Sequence, residues 1–268
     1  MMAAHLVFTI FAPLGAWGSP SPSSGNAAHK ATETVPTKSA LTGLLGAALG
    51  WPRDRLGLLA ESLYVAVRVD VAARPQPAAD YHTVRKGAPP SGRDRWTRFD
   101  ELRGELAGTH GGGAMLSRRE YLSEGLWTAC VRCRPEAPIS EDAMASALRA
   151  PVYSLYAGRK AFPLGLPPDP EVVEAPGPVA ALGAYGTVDR RRPDLAAWLG
   201  RSDGGEPETL RVCADHDFPG LEDIGIVDRW LERRDLPHPV VLADGRVERR
   251  FQVRREVHLS VPREAACS

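Results

Sequence analysis

No uninterrupted run of 18 apolar residues occurs anywhere in the 268-residue chain, so nothing in it reads as a transmembrane helix. The first residues carry no positive segment, and the apolar stretch before Phe11 is broken by Thr9. That stretch reads as a strand rather than a secretory signal, and the chain is expected to be cytoplasmic with no membrane partner. Net charge is also missing: 33 Lys and Arg balance 33 Asp and Glu, so bulk charge gives no argument for a nucleic-acid partner. Cysteine is scarce, with Cys130, Cys133, Cys213 and Cys267 alone, and a chain of this length buries enough surface to fold without disulfide or metal staples. Cys130 and Cys133 lie on an alternating apolar segment that reads as a strand, where residues three apart face opposite sides. They are taken as structural. None of the seven histidines sits in a His-Glu-x-x-His cluster, and no Gly-x-Ser-x-Gly elbow, phosphate-binding P-loop or Gly-x-Gly-x-x-Gly motif occurs. Hydrolase, nucleotidase and dehydrogenase readings therefore lack support, and no cofactor or metal is expected. Asp215-His216-Asp217 reads either as a polar turn after a strand or as metal ligands.

What is present is a mixed α+β pattern. Residues 6–11 have strand composition and stop at Pro13 and Gly15. After an irregular stretch, Thr37 caps a helix whose Leu41, Leu44, Leu45, Ala48 and Leu49 form one face, ended by Gly50. Residues 63–70 alternate as a second strand and residues 127–134 as a third. Ser140 caps a short helix carrying Met144, Ala147 and Leu148, and residues 152–156 open the next extended piece. Strand, helix, strand, long excursion, strand, helix, strand is the ferredoxin-like order shared with RNA-recognition modules. The excursion is long, polar and rich in Arg and Gly, and compact domains seldom carry one without a task. A proline-dense connector follows Pro163, and beyond it residues 210–214, 239–242 and 251–261 read as strands. The expected architecture is a palm over residues 1–165, with the excursion at about 81–120, and a small antiparallel β domain over 171–268.

Charge is unevenly placed. Residues 81–120 hold eight Lys or Arg against five Asp or Glu. Tyr81, His82 and Lys86 supply an acid, a base and a cation, the groups a metal-independent ribonuclease uses, and the same groups also bind phosphate without cleaving. Thr37, Lys38 and Ser39 set two hydroxyls and a cation at a helix start, where free N–H groups favour an anion such as RNA phosphate. Ordinary capping with an exposed Lys38 is the alternative. Trp17 is read as core packing or as a base-stacking ring. Residues 151–160 mix Tyr153 and Tyr156 with Arg159 and Lys160, the composition of a surface that stacks bases and holds phosphates, or of a plain strand edge.

Five segments in this order, namely residues 16–18, 36–50, 80–84, 119–122 and 151–164, make the chain resemble the CasD family of type I-E Cascade subunits, within the wider Cas-five superfamily of RAMP proteins. The resemblance is close over the first 165 residues and looser beyond. It implies a palm with a thumb between the second and third strands, and a non-catalytic role: holding the 5′ handle of CRISPR RNA (crRNA) in an antiviral ribonucleoprotein. The implied partners are the crRNA, the Cascade backbone subunits, the large PAM-recognising subunit and target DNA near that end of the complex. Carried onto this chain, Lys38 and Ser39, beside Thr37, hold handle phosphate. Trp17, His82, Tyr156, Arg159 and Lys160 lie near the handle, and Arg93, Arg95, Arg98 and Arg118 reach RNA or a neighbouring subunit from the thumb. A related subtype uses the corresponding subunit as the precursor-processing ribonuclease. Cleavage and a protein-only scaffold are therefore the competing readings.

Overall fold

The computed structural model describes all residues except 19–28, 77–78, 85–114, 199–208, 222–227, 244, 246, 249 and 263–268. Its main sheet is built from β1 (Ala3–Gly15), β2 (Leu63–Val71), β3 (Leu122–Cys133), β4 (Glu171–Ala175), β5 (Thr209–Asp215), β6 (Arg229–Pro237) and β7 (Phe251–Pro262). They run in the order β4-β1-β3-β2-β5-β7-β6, and every neighbouring pair is antiparallel. The first four strands have the 4-1-3-2 order of a ferredoxin-like unit, with a helix between β1 and β2 and another between β3 and β4.

Alternation explains why the sheet is buried on both faces. Leu6, Phe8 and Ile10 of β1 enter one apolar cluster, and Val7 enters the other. Each fully buried Leu, Ile or Phe contributes about 1.5–3 kcal/mol of transfer free energy. The first face is covered by α1 (Lys38–Leu49) and α3 (Glu141–Arg149), through Leu41, Leu44, Leu45, Met144 and Leu148. Thr37 caps α1 by accepting from the Ala40 amide, and Gly50 closes it in the left-handed region at φ 71°. Between α1 and β2 runs the short α2 (Leu56–Glu61). The opposite face is covered by α4 (Pro178–Tyr185), which brings in Val179, Leu182 and Tyr185. Among the described residues no helix is long and apolar enough to cross a membrane.

A fully buried arginine fastens α4 to the sheet. Arg68 on β2 donates to the carbonyl oxygens of Leu182 (2.6 Å) and Gly186 (2.7 Å), which α4 leaves unpaired at its end. Its Nε meets Asp70 at 2.7 Å, and Asp70 accepts from the Thr128 hydroxyl on β3.

Two expectations are corrected. Residues 152–156 do not form the fourth strand, because Gly158 sits at φ +78° and only a bridge between Tyr156 and Pro163 forms there. The fourth strand is β4, beyond the prolines, paired with β1. The carboxy-terminal strands also do not form a separate sheet: β5 pairs with β2, so β5, β7 and β6 extend the palm sheet.

Buried charge occupies the seam where α1 meets this extension. The Lys38 ammonium donates to Asp215 and to the Leu63 carbonyl, both at 2.8 Å. Arg254 bridges Asp215 (2.9 Å), Asp235 (2.7 Å) and Glu256. Arg233 joins Glu256 (2.6 Å) to Glu33 (3.0 Å), and His258 lies 2.8 Å from Glu256. Burial works against the Glu256 charge, but the His258 hydrogen bond and the Arg254 and Arg233 charges outweigh it and hold the carboxyl down at about 2.

Two outcomes follow. Arg68→Met strands Asp70 in the interior, and denaturant melts should show a loss of about 3–5 kcal/mol; a loss within the noise would mean that the clamp contributes nothing. Glu256 has a folded value below its unfolded value of 4.5, so its contribution is complete above that pH and is lost as pH falls toward about 2. Glu256→Gln should flatten the acid side of the stability curve over that window, and an unchanged slope would contradict the pairing.

Candidate nucleic-acid interface

At the end of the sheet where Gly15 faces Leu122, a second, three-stranded sheet projects. Residues Asp80–Val84 and Met115–Arg119 pair antiparallel, and His29–Lys30 runs parallel to the latter. Two of these strands bound the expected excursion, whose residues 85–114 lie outside the described residues. Tyr81 is paired with Arg118, and cross-strand partners share a face. Both are exposed, Tyr81 at 73%, so a ring and a guanidinium stand side by side in solvent. His82 is exposed on the opposite face, paired with Ser117. Adjacent strand residues cannot converge on one atom, so Tyr81 and His82 are not arranged as an acid and base acting on one phosphate.

The loop of residues 151–164 lies beside this hairpin. Its shape depends on Gly158, where a Cβ would lie 1.8 Å from the Ala16 carbonyl oxygen. Ala157 accepts from the Ala16 amide (3.1 Å), and Arg159 donates through Nη2 to the Glu120 carbonyl (2.6 Å), tying the loop to the hairpin's exit. The Arg159 Nη1 is buried and has no partner among the described residues. Desolvation, then the charge of Arg119, holds the Arg159 guanidinium below its ordinary range, with Asp80 opposing. Tyr153, Tyr156 and Lys160 are exposed around it. The arrangement presents rings for stacking and cations for phosphate along one edge.

The other sequence-predicted residues fall elsewhere. Trp17 is 1% exposed and packs edge-on against Trp127, so it is a core residue. Thr37 and Lys38 are buried, and Ser39 is partly buried with its hydroxyl 3.0 Å from that of Thr37. The start of α1 does attract an anion, but that anion is internal: Asp235 accepts from the Lys38 amide at 2.8 Å. The reading of Lys38 as an open phosphate seat is therefore corrected to that of an ion-pair partner. Burial pushes its ammonium below the usual range and Asp215 pulls it back. The nearby cavity of about 540 Å³ is lined by Lys38, Arg134 and Arg254, each already matched to a carboxylate. Asp215 and Asp217 are spent in these pairs, which favours the polar-turn reading of residues 215–217. Arg93, Arg95 and Arg98 lie outside the described residues.

Sequence reasoning missed Asp235, Arg254 and Glu256. Their only local signal is the alternation of Arg254, Glu256 and His258, charged or polar side chains on one face of a strand otherwise rich in Val. The thiols of Cys130 and Cys133 are raised by burial, Cys133 to about 12, which keeps them protonated.

The geometry can be set beside known proteins. The CRISPR system Cascade subunit CasD of Escherichia coli (strain K12) is 31% identical over 196 residues, covering 70% of this chain and 79% of its own. A chain of a CRISPR RNA-guided surveillance complex superposes with a TM-score of 0.56 at 22% identity, over 96% of this chain and 90% of that one. A crystal structure of a Cas protein does so with 0.51 at 22% identity, over 97% and 96%. The model of the CRISPR-associated protein family Cas_Cas5 matches residues 5–255, and the chain belongs to that family.

Proposed function

We propose that this chain is a non-catalytic subunit of a Cascade-type CRISPR effector, and that it grips the 5′ handle of the guide RNA on the edge formed by the hairpin and the 151–164 loop. The observation that carries the proposal is the tie between these two elements. Arg159 is anchored to Glu120 by one nitrogen while the other has no partner among the described residues, Tyr81 and Arg118 are exposed on the hairpin, and Tyr156 and Lys160 are exposed on the loop. Bases stack on such rings at about 1–3 kcal/mol each, and each cation neutralises one phosphate. The neutral net charge of the whole chain suits a subunit that meets RNA on one edge and proteins elsewhere. On this reading residues 81–120 are the thumb, which crosses the RNA toward a backbone subunit, and the same end meets the large PAM-reading subunit and the target DNA beside it.

The proposal differs from a generic RNA-recognition module in where the RNA lies. Such modules stack bases on an open sheet face, but here both faces of the sheet are packed under helices. RNA is left with an edge.

Titrating labelled handle RNA at several salt concentrations tests this placement. Arg159→Ala and Arg118→Ala should each reduce the slope of log affinity against log salt by about one, whereas Tyr81→Ala should weaken binding by about 1–3 kcal/mol with the slope unchanged. Wild-type affinity and slope in all three variants would contradict it.

A further inference from the structure

The charge seam contains a set of sulfur, nitrogen and oxygen donors that the proposed RNA edge does not use. Cys213 on β5 is the register partner of His258 on β7, and Glu256 stands two residues along the same face of β7. All three are buried, at 3%, 7% and 5% exposure, and their sulfur, nitrogen and oxygen donors lie within 4.8 Å of one another. A tetrahedral zinc ion with N or O ligands near 2.0–2.1 Å and sulfur near 2.3 Å needs donor separations of roughly 3.3–3.6 Å. The His258–Glu256 separation of 2.8 Å is shorter than this and opens by about 0.5 Å to admit the ion.

The surrounding charge points the same way. Among the described residues joined in the seam, three cations (Lys38, Arg233 and Arg254) face four carboxylates (Glu33, Asp215, Asp235 and Glu256). A divalent cation bound together with a Cys213 thiolate adds one net positive charge beside these carboxylates. Both arginines can stay on Glu256, because a carboxylate has about four acceptor positions.

We propose that Cys213, His258 and Glu256 form a binding site for a zinc-class divalent cation, with water as the fourth ligand. On binding, His258 gives up the Nε2 proton that it donates to Glu256 and keeps its ring proton on Nδ1, so that the Nε2 lone pair faces the metal, and the Cys213 proton leaves to solvent. Burial, followed by the Glu256 charge, raises the Cys213 thiol to about 12, and ligation by a cation reverses that preference. The ion pins β5 to β7 inside the carboxy-terminal extension. This role does not depend on where RNA binds.

Cobalt titration of the full chain, freed of metal by a chelator, tests the site. The expected result is one equivalent bound with a thiolate-to-cobalt charge-transfer band, absent in Cys213→Ser and retained in Cys130→Ser. No band, or a band that survives Cys213→Ser, overturns the proposal. Should Cys213→Ser fail to fold, X-ray absorption of the zinc-loaded wild type decides instead: one sulfur among nitrogen and oxygen scatterers is expected, and any other sulfur count contradicts the assignment.

Discussion

The buried ion network at the start of α1 is the constraint on which the rest of the structure rests. Lys38 contributes its ammonium to Asp215 and its backbone amide to Asp235, and Arg254 holds both carboxylates from β7. One residue of the first helix is thereby joined to all three strands of the carboxy-terminal extension. Buried ion pairs add little net stability compared with well-packed apolar groups, but breaking one is costly because a bare charge is left inside. The network thus selects one docking of the extension on the ferredoxin-like half. It also removes the start of α1 from the surface.

The second consequence concerns the faces of the sheet. Arg68 ties α4 over the face that an RNA-recognition module leaves open, and α1 and α3 cover the other. The hairpin of residues Asp80–Val84 and Met115–Arg119 lies beside the loop locked by Gly158, and Arg159 couples them.

Much of this was legible from local sequence, and the limits are instructive. Alternation located β1, β2 and β3, and the Thr37 and Gly50 signals bounded α1, because those features depend on neighbours in the chain. Residues 152–156 carry strand composition yet form a loop, since Gly158 takes a left-handed turn and presses against Ala16, a contact across 142 positions that composition does not encode. Residue type and the resemblance singled out His82, Arg118, Tyr156, Arg159 and Lys160, of which Arg159 is partly buried and the others are exposed. Lys38 was misplaced for the opposite reason: a hydroxyl-cation-hydroxyl run at a helix start does mark an anion site, but its anion is Asp235, 197 residues away in sequence. The union of β5 with β2 is equally long-range, so the extension looked like a separate sheet.

The central claim is that guide RNA lies along the edge where Tyr81, Arg118, Tyr156 and Arg159 are exposed or unpaired. Ultraviolet crosslinking of the assembled particle, with the attached nucleotides mapped by mass spectrometry, tests it most directly. The account predicts 5′-handle nucleotides on the peptides carrying Tyr81 and Tyr156. Crosslinks confined to the opposite end of the sheet, around His216 and the exposed Trp230, would contradict it.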